Sequence, residues 1–402
     1  MMWRLLKNAR IFTPEPIREK DILLMGGKIA AVGDNLAIPD FGEGEELDLE
    51  GTIVVPGFID AHVHICGGGG EDGPTSRTPE IQLTQLTGAG ITTVVGLLGT
   101  DTVSRSMREL FVKARALEFE GLTTYIYSGG YQLPIRTLTE GVREDLVLID
   151  KVIGAGEIAI SDHRSAQPQL AELERLAAEV RAGGMLGKKA GIIHLHMGEG
   201  KRGLGTIWDI LDQTEIPITQ FVPTHMNRTP NLLEEGMKFL QAGGQIDLTA
   251  GCEDFAEELQ VPAVLSQLAK ANLLHGHVTV SSDANGSMPQ FNEKGQLIGM
   301  GVGSANVLWK DIREAVLNYH LPLETALQTI TENAARVLKL SNKGSIETGK
   351  DADLVVLDRD YQICHVWAKG QWMVKEGKPI VWGTYEKDKQ GEDLGQRDGR
   401  SI

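Results

Sequence analysis

A chain of 402 residues, 41% hydrophobic and 23% charged, is long enough to bury a large core as one big α/β barrel or as two domains. Its formal net charge of −16 would repel a nucleic-acid backbone, and no apolar run nears the ~20 residues of a membrane span. The opening M-M-W-R-L-L-K-N-A-R lacks the apolar core of a signal peptide, and Cys66, Cys252 and Cys364 are too scattered for a disulfide framework, so a cytoplasmic protein is expected.

Residues 1–55 read as short strands separated by turns, as in D-I-L-L-M-G-G-K-I-A-A-V-G-D. Next come β-rich apolar runs near 57–64, 91–98, 123–128, 157–162, 190–196, 218–225, 245–250 and 277–283. Helical patterns fall between them, including Ala171 to Ala182 and Asn231 to Leu240. Eight strands alternating with helices predict a (β/α)₈ barrel, placed at 56–342. Residues 343–390 return to strands in D-A-D-L-V-V-L, I-C-H-V-W-A-K-G and Q-W-M-V-K-E-G-K. The two ends, 1–55 and 343–390, are expected to pair into one small β-sandwich domain, since neither can bury a core alone. Residues 391–402 are expected to form a flexible tail.

In such barrels active-site groups gather at the carboxyl ends of the strands. The first run ends in G-F-I-D-A-H-V-H-I-C-G-G-G-G, where His62 and His64 lie two apart and share a face. Taken alone, that stretch fits a core histidine pair and a flexible turn as well as it fits half of a metal site. The fifth run, G-I-I-H-L-H-M-G, carries His196 nearer the mouth and His194 one layer deeper, where a hydrogen-bonded core histidine is expected. His225 closes the sixth in F-V-P-T-H-M-N-R, and Asp283 closes the eighth in V-T-V-S-S-D-A-N-G-S. Histidines and an aspartate at four strand ends are hard to explain by packing and suit Zn²⁺ or a similar divalent ion. His275, His277, His320 and His365 read as structural or surface residues, and His163 as either a neighbour of the site or exposed.

This pattern resembles the amidohydrolase superfamily. Within it, G-G-G-G-E, G-L-L-G-T, I-S-D-H-R, P-T-H-M-N-R and S-S-D-A-N-G-S resemble the isoaspartyl dipeptidase family, over about Ile53 to Arg336. The resemblance implies a metal-dependent hydrolase of β-aspartyl dipeptides, with no nucleic-acid or membrane partner and a homo-oligomeric, octameric assembly. It implies His62, His64, His196, His225 and Asp283 as metal ligands, with Asp283 also the general acid–base. Tyr131, in S-G-G-Y, matches the donor to the developing oxyanion. Glu71 matches the group that holds the substrate α-ammonium, and Arg164 and Arg228 match those that hold carboxylates. Thr100, Ser287 and the backbone at Gly69 match further polar contacts, and the glycine loop would let backbone approach the substrate.

One position departs from the family pattern. Where its common form has a carboxylated lysine on the fourth strand bridging two metals, this chain has Glu157, counted back from the shared S-D-H-R. A glutamate supplies the same charge on a shorter side chain, so a site with two Zn²⁺ bridged by Glu157 is expected, with the backbone or the metals shifted. A single-metal site or an inactive relative stays open. So do an amidohydrolase acting on a cyclic amide or an N-acyl amino acid, and a non-catalytic binding protein of the same fold.

Overall fold

The computed structural model describes residues 2–38, 40–252, 255–291 and 297–386. Eight parallel strands run in chain order: Phe58–Val63, Ile91–Gly96, Thr123–Ser128, Val152–Ile160, Ile192–Met197, Phe221–Thr224, Ile246–Thr249 and Val278–Ser281. The first six hydrogen-bond as one curled sheet and the last two as a pair. A backbone hydrogen bond crosses each of the two seams. Met226 N donates to Asp247 O at 3.3 Å, and His64 N donates to Ala284 O at 2.9 Å. Both seams therefore lie beside candidate ligands.

The strands form because their residues are β-branched or apolar and are covered on both faces. Ile91–Gly96 is buried along its whole length. Helices supply the outer cover. Met107–Phe119 starts at a capping box between Ser106 and Glu109, and Pro230–Gln241 starts at Thr229, whose hydroxyl accepts from Leu232 N. Leu170–Leu186 buries Leu173, Leu176, Ala177 and Val180 on the i, i+3, i+4, i+7 stripe facing the strands. The fourth strand begins at Val152 rather than near 157, because V-I-G-A-G carries two glycines and reads weakly as a strand. A hairpin of Ser287–Phe291 and Leu297–Val302 follows the eighth strand, with Ser287 opposite Val302, and the apolar pattern gave no sign of it.

Strands from the two ends form one nine-stranded mixed sheet. Ile53–Pro56 joins the ends by pairing antiparallel with Leu354–Leu357, Val55 opposite Val355. Leu6, Ile11, Ile22, Val54, Leu354 and Trp367 make a separate core for this sheet domain. Buried Lys343 ties it to the barrel through Asp351, Asp353 and the Thr123 hydroxyl. The tail expected at 391–402 lies outside the described residues. Among those residues no helix is long and apolar enough to cross a membrane.

Candidate active site

The first strand delivers His62 and His64 to one side chain: their Nε2 atoms lie 3.3 and 3.1 Å from Asp283 Oδ1. Asp283 and His225 both sit at positive φ, 51° and 62°, just past the ends of their strands. Asp and His tolerate that conformation better than most residues, and the turn there aims these side chains inward.

Glu157 lies between the two sets of histidines. In the pairing of the fourth and fifth strands, Ala155 faces Ile193 and Ile158 faces Leu195, so Gly156 and Glu157 together oppose His194. This is a β-bulge, which bends its strand and re-aims the extra side chain. Glu157 Oε2 faces His62 and His64 Nε2 at 3.4 and 3.9 Å, while Oε1 faces His196 Nδ1 at 2.5 Å and His225 Nε2 at 3.3 Å. The two oxygens thus address opposite histidine pairs.

Neighbours select which nitrogens point inward. His62 Nδ1 meets His194 Nε2 at 2.9 Å, and His225 Nδ1 meets Thr249 Oγ1 at 2.6 Å, which leaves each Nε2 toward the carboxylates. His62 Nε2, Glu157 Oε2 and Asp283 Oδ1 are buried and have no hydrogen-bond partner, although they converge. Unpaired buried carboxylate oxygens call for positive charge. His62, His64 and Asp283 form one group whose ligand atoms fit around a cation, and His62, Glu157 and His225 form another. The donor set fits a metal cofactor.

The titration behaviour agrees. Burial alone would raise Glu157 and Asp283, but His62 with His196 beside one, and His62 with His64 beside the other, hold both carboxyls well below their ordinary range. Burial would lower His62, yet Glu157 and Asp283 pull it well above its ordinary value. With a metal bound, that demand for positive charge is met without an imidazolium, and the imidazole ligates in its neutral form. Burial and the nearby Arg228 lower His225 to about 3, so it stays neutral.

The remaining candidates line the open side of this cluster. Tyr131 OH is 2.8 Å from His196 Nδ1, and burial followed by Glu157 raises its pKa well above the phenol range, so it keeps its proton. Arg164 lies over the Tyr131 ring, 5.4 Å from its centroid, and its NH1 is 3.6 Å from Glu71 Oε1. Thr100 and Ser287 hydroxyls donate to the two Glu71 oxygens, each at 3.2 Å. Arg228 NH1 donates to Met197 O at 2.6 Å and lies 3.3 Å from His196 Nε2. Gly69 sits at φ +72°, and a Cβ there would come within 2.3 Å of Ser76 O. The structure thus brings every candidate together, while His163 is exposed and His365 packs on Trp367 and Trp372 in the sheet domain.

The sequence profile of the Amidohydrolase family matches residues 260–373. A solved β-aspartyl dipeptidase from Fervidobacterium islandicum AW-1, in complex with the β-Asp-Leu dipeptide, is 45% identical, with a TM-score of 0.87 over 94% of this chain and 98% of that one. The chain belongs to the β-aspartyl dipeptidase family. A second structure from the same organism is 43% identical at a TM-score of 0.86, with the same coverage. Similarity to the allantoinase of Deinococcus radiodurans is weaker, 24% over 99% of this chain and 98% of that protein.

This family member also uses groups that sequence reasoning passed over. Asp60, two residues before His62 and so on the same face, accepts from His62 N, Ser282 N and the Ser282 hydroxyl, tying the first strand to the eighth. Its carboxyl is raised to about 7 by burial, against those hydrogen bonds. Asp247 similarly accepts from the Thr224 hydroxyl across the other seam, and from the Thr279 and Ser281 hydroxyls of the eighth strand. Buried Arg105 donates to the carbonyls of Cys66, Gly68 and Thr78 and so pins the glycine loop. Only Asp60 had a legible signal, its spacing to His62.

Proposed function

We propose that this enzyme hydrolyses β-aspartyl dipeptides with two divalent ions, Zn²⁺ by the chemistry of the donors, bridged by Glu157. His62, His64 and Asp283 would hold one ion, and His196 and His225 the other. The observation that carries the reading is the division of Glu157, Oε2 toward one histidine pair and Oε1 toward the other. When bound, such ions activate water as a nucleophile at neutral pH.

The chain's own residues do the rest. Glu71 pairs with the substrate α-ammonium, and Arg164 and Arg228 take its carboxylates with planar guanidinium groups. Gly69 offers backbone to the substrate, and Thr100 and Ser287 hold Glu71 in place. These contacts position the side-chain amide carbonyl of the aspartyl residue over the buried cluster. The Tyr131 hydroxyl donates to its oxygen as negative charge develops there. Asp283 accepts the proton of the attacking water and delivers it to the leaving amine nitrogen as the C–N bond breaks. A cyclic amide lacks the free ammonium that Glu71 answers, which favours the dipeptide over the allantoinase-like alternative.

The test is a rate comparison on β-Asp-Leu and α-Asp-Leu, with and without chelator. β-Asp-Leu should be cleaved far faster, because a misplaced carbonyl is costly, and chelator should abolish the activity. Comparable rates on both isomers would overturn the assignment. The same reading puts the enzyme in the cytoplasm as a homo-oligomer, an octamer by family resemblance. Its three cysteines, too scattered for a disulfide framework, suit a reducing compartment, and light scattering reads the assembly.

A further inference from the structure

Asp162, in the loop after the fourth strand, is 7% exposed and has no role in the reading above. Its carboxylate is fully committed. Oδ1 accepts from Arg164 N at 2.7 Å and Arg164 Nε at 3.0 Å, and Oδ2 accepts from Arg164 NH2 at 2.7 Å. Oδ2 is also 3.0 Å from His196 Nε2. These four contacts use about all the lone pairs a carboxylate has. Both oxygens of Asp162 thus grip Arg164, whose guanidinium faces Glu71, and Oδ2 also reaches the back of a histidine whose Nδ1 faces Glu157.

Metal ligation would set the tautomer of His196. Its Nδ1 points at Glu157 Oε1 and His225 Nε2, 2.5 and 3.0 Å away, with the Tyr131 hydroxyl at 2.8 Å, and a ligand there needs a lone pair. The proton then belongs on Nε2, and Asp162 Oδ2 is its acceptor. The guanidinium nitrogens of Arg164 and Arg228 near Nε2 cannot take that role, because they donate and do not accept. A carboxylate behind a ligating histidine fixes the ring and raises its basicity.

We propose that Asp162 is a positioning residue that couples the two halves of the site, holding His196 for the metal and Arg164 for the substrate carboxylate with one side chain. This inference rests on the proposed dipeptidase reading for its substrate arm; its metal arm stands on the His196 geometry. Asparagine at this position cannot replace the carboxylate. Its single oxygen can serve Arg164 N and Nε, but its NH₂ then faces two other donors, Arg164 NH2 and His196 Nε2–H. The imidazole has to rotate or move its proton to Nδ1, and the arginine loses its fork.

The experiment compares Asp162→Asn with Arg164→Met, reading Zn²⁺ affinity by competition with a chromogenic chelator, KM and kcat on β-Asp-Leu at saturating Zn²⁺, and thermal melting of the metal-free protein. Asp162→Asn should weaken Zn²⁺ binding by about 10- to 100-fold and also raise KM. Arg164→Met should raise KM and leave Zn²⁺ affinity alone. A purely structural role would lower the melting temperature of Asp162→Asn while leaving Zn²⁺ affinity and KM at parental values, and that result overturns the proposal. A shift in only one of the two overturns the coupling. If Asp162→Asn does not fold, Asp162→Glu, which moves the carboxylate by one methylene, is held to the same two readouts. Should the parent protein fail to hydrolyse β-Asp-Leu, the dipeptidase reading falls, while Zn²⁺ affinity still decides the His196 arm.

Discussion

The side chains of His62, Glu157, His196 and His225 are at most 3% exposed, whereas those of Glu71 and Arg164 are 24% and 28% exposed. The first group hangs from strands and a bulge, with rings set by His194, Thr249 and Asp162. The second group hangs from loops, with Arg164 gripped by Asp162, Glu71 held by the Thr100 and Ser287 hydroxyls, and the two facing each other at 3.6 Å. In the proposed reaction that pair plays a further part: its acid and base are the partners a substrate's ammonium and carboxylate would take up. Backbone fixes where the chemistry happens, and exchangeable charge pairs fix what is brought to it. Substitutions in the buried half should therefore change metal content, and those in the open half should change KM alone.

The sharpest test of this division is Glu157→Gln. It keeps the size and removes the charge, leaving two dications facing each other with less compensation. Metal content measured by plasma emission should fall from about two per chain toward one, with activity lost beyond the ~100-fold typical of outer-shell partners. Bicarbonate should not rescue it. Two metals retained with near-normal turnover would show that another group bridges. Tyr131→Phe probes the boundary between the halves. Its kcat should drop about 100- to 1,000-fold, as for other oxyanion donors, with metal content unchanged. Arg228→Lys keeps the charge and loses the fork, so KM should rise about tenfold or more, in line with a charged hydrogen bond worth about 1.5–3 kcal/mol. Metal loss in that variant would break the division. The smallest catalytic effect is expected from Arg105→Lys, which cannot reach all three loop carbonyls. Stability should fall by about 1–3 kcal/mol, seen in thermal melting, with only a modest rise in KM.

The barrel strands were legible because parallel strands covered on both faces read as apolar runs, as in I-T-T-V-V-G. The histidine pattern and Asp283 stood at strand ends and were found from spacing, and the open-half residues came only through the family motifs. The bulge at Gly156 and Glu157 left no trace, since a one-residue slip in pairing is a property of two strands together. Asp162 lies within S-D-H-R, but nothing in that motif marks its role. Its partner His196 lies on the next strand, and which carboxylate reaches a ring is decided by the turn between them. Arg105, in D-T-V-S-R-S-M, reads as a polar loop residue; its burial depends on three carbonyls supplied by residues far from it in sequence. The pairing of Val55 with Val355 was foreseen only as a union of the two ends, without register.

That last pairing has a consequence for synthesis. Ile53–Pro56 emerges roughly 300 residues before Leu354–Leu357, which at about 5–20 residues per second is roughly 15–60 s on the ribosome. Throughout that interval Val54 and Val55 and one edge of the early strands lack native cover, and uncovered strand edges template pairing with other chains. The first barrel strand waits in the same way, because its second neighbour, at Ala284, is made more than two hundred residues later. Consecutive strands can pair as they are made, but the contacts that close the sheet domain and the barrel lock only when the late segments arrive. A nascent chain stalled before Leu354 is an aggregation-prone intermediate with an open sheet, and chaperone cover during elongation should govern its yield more than the stability of the finished fold.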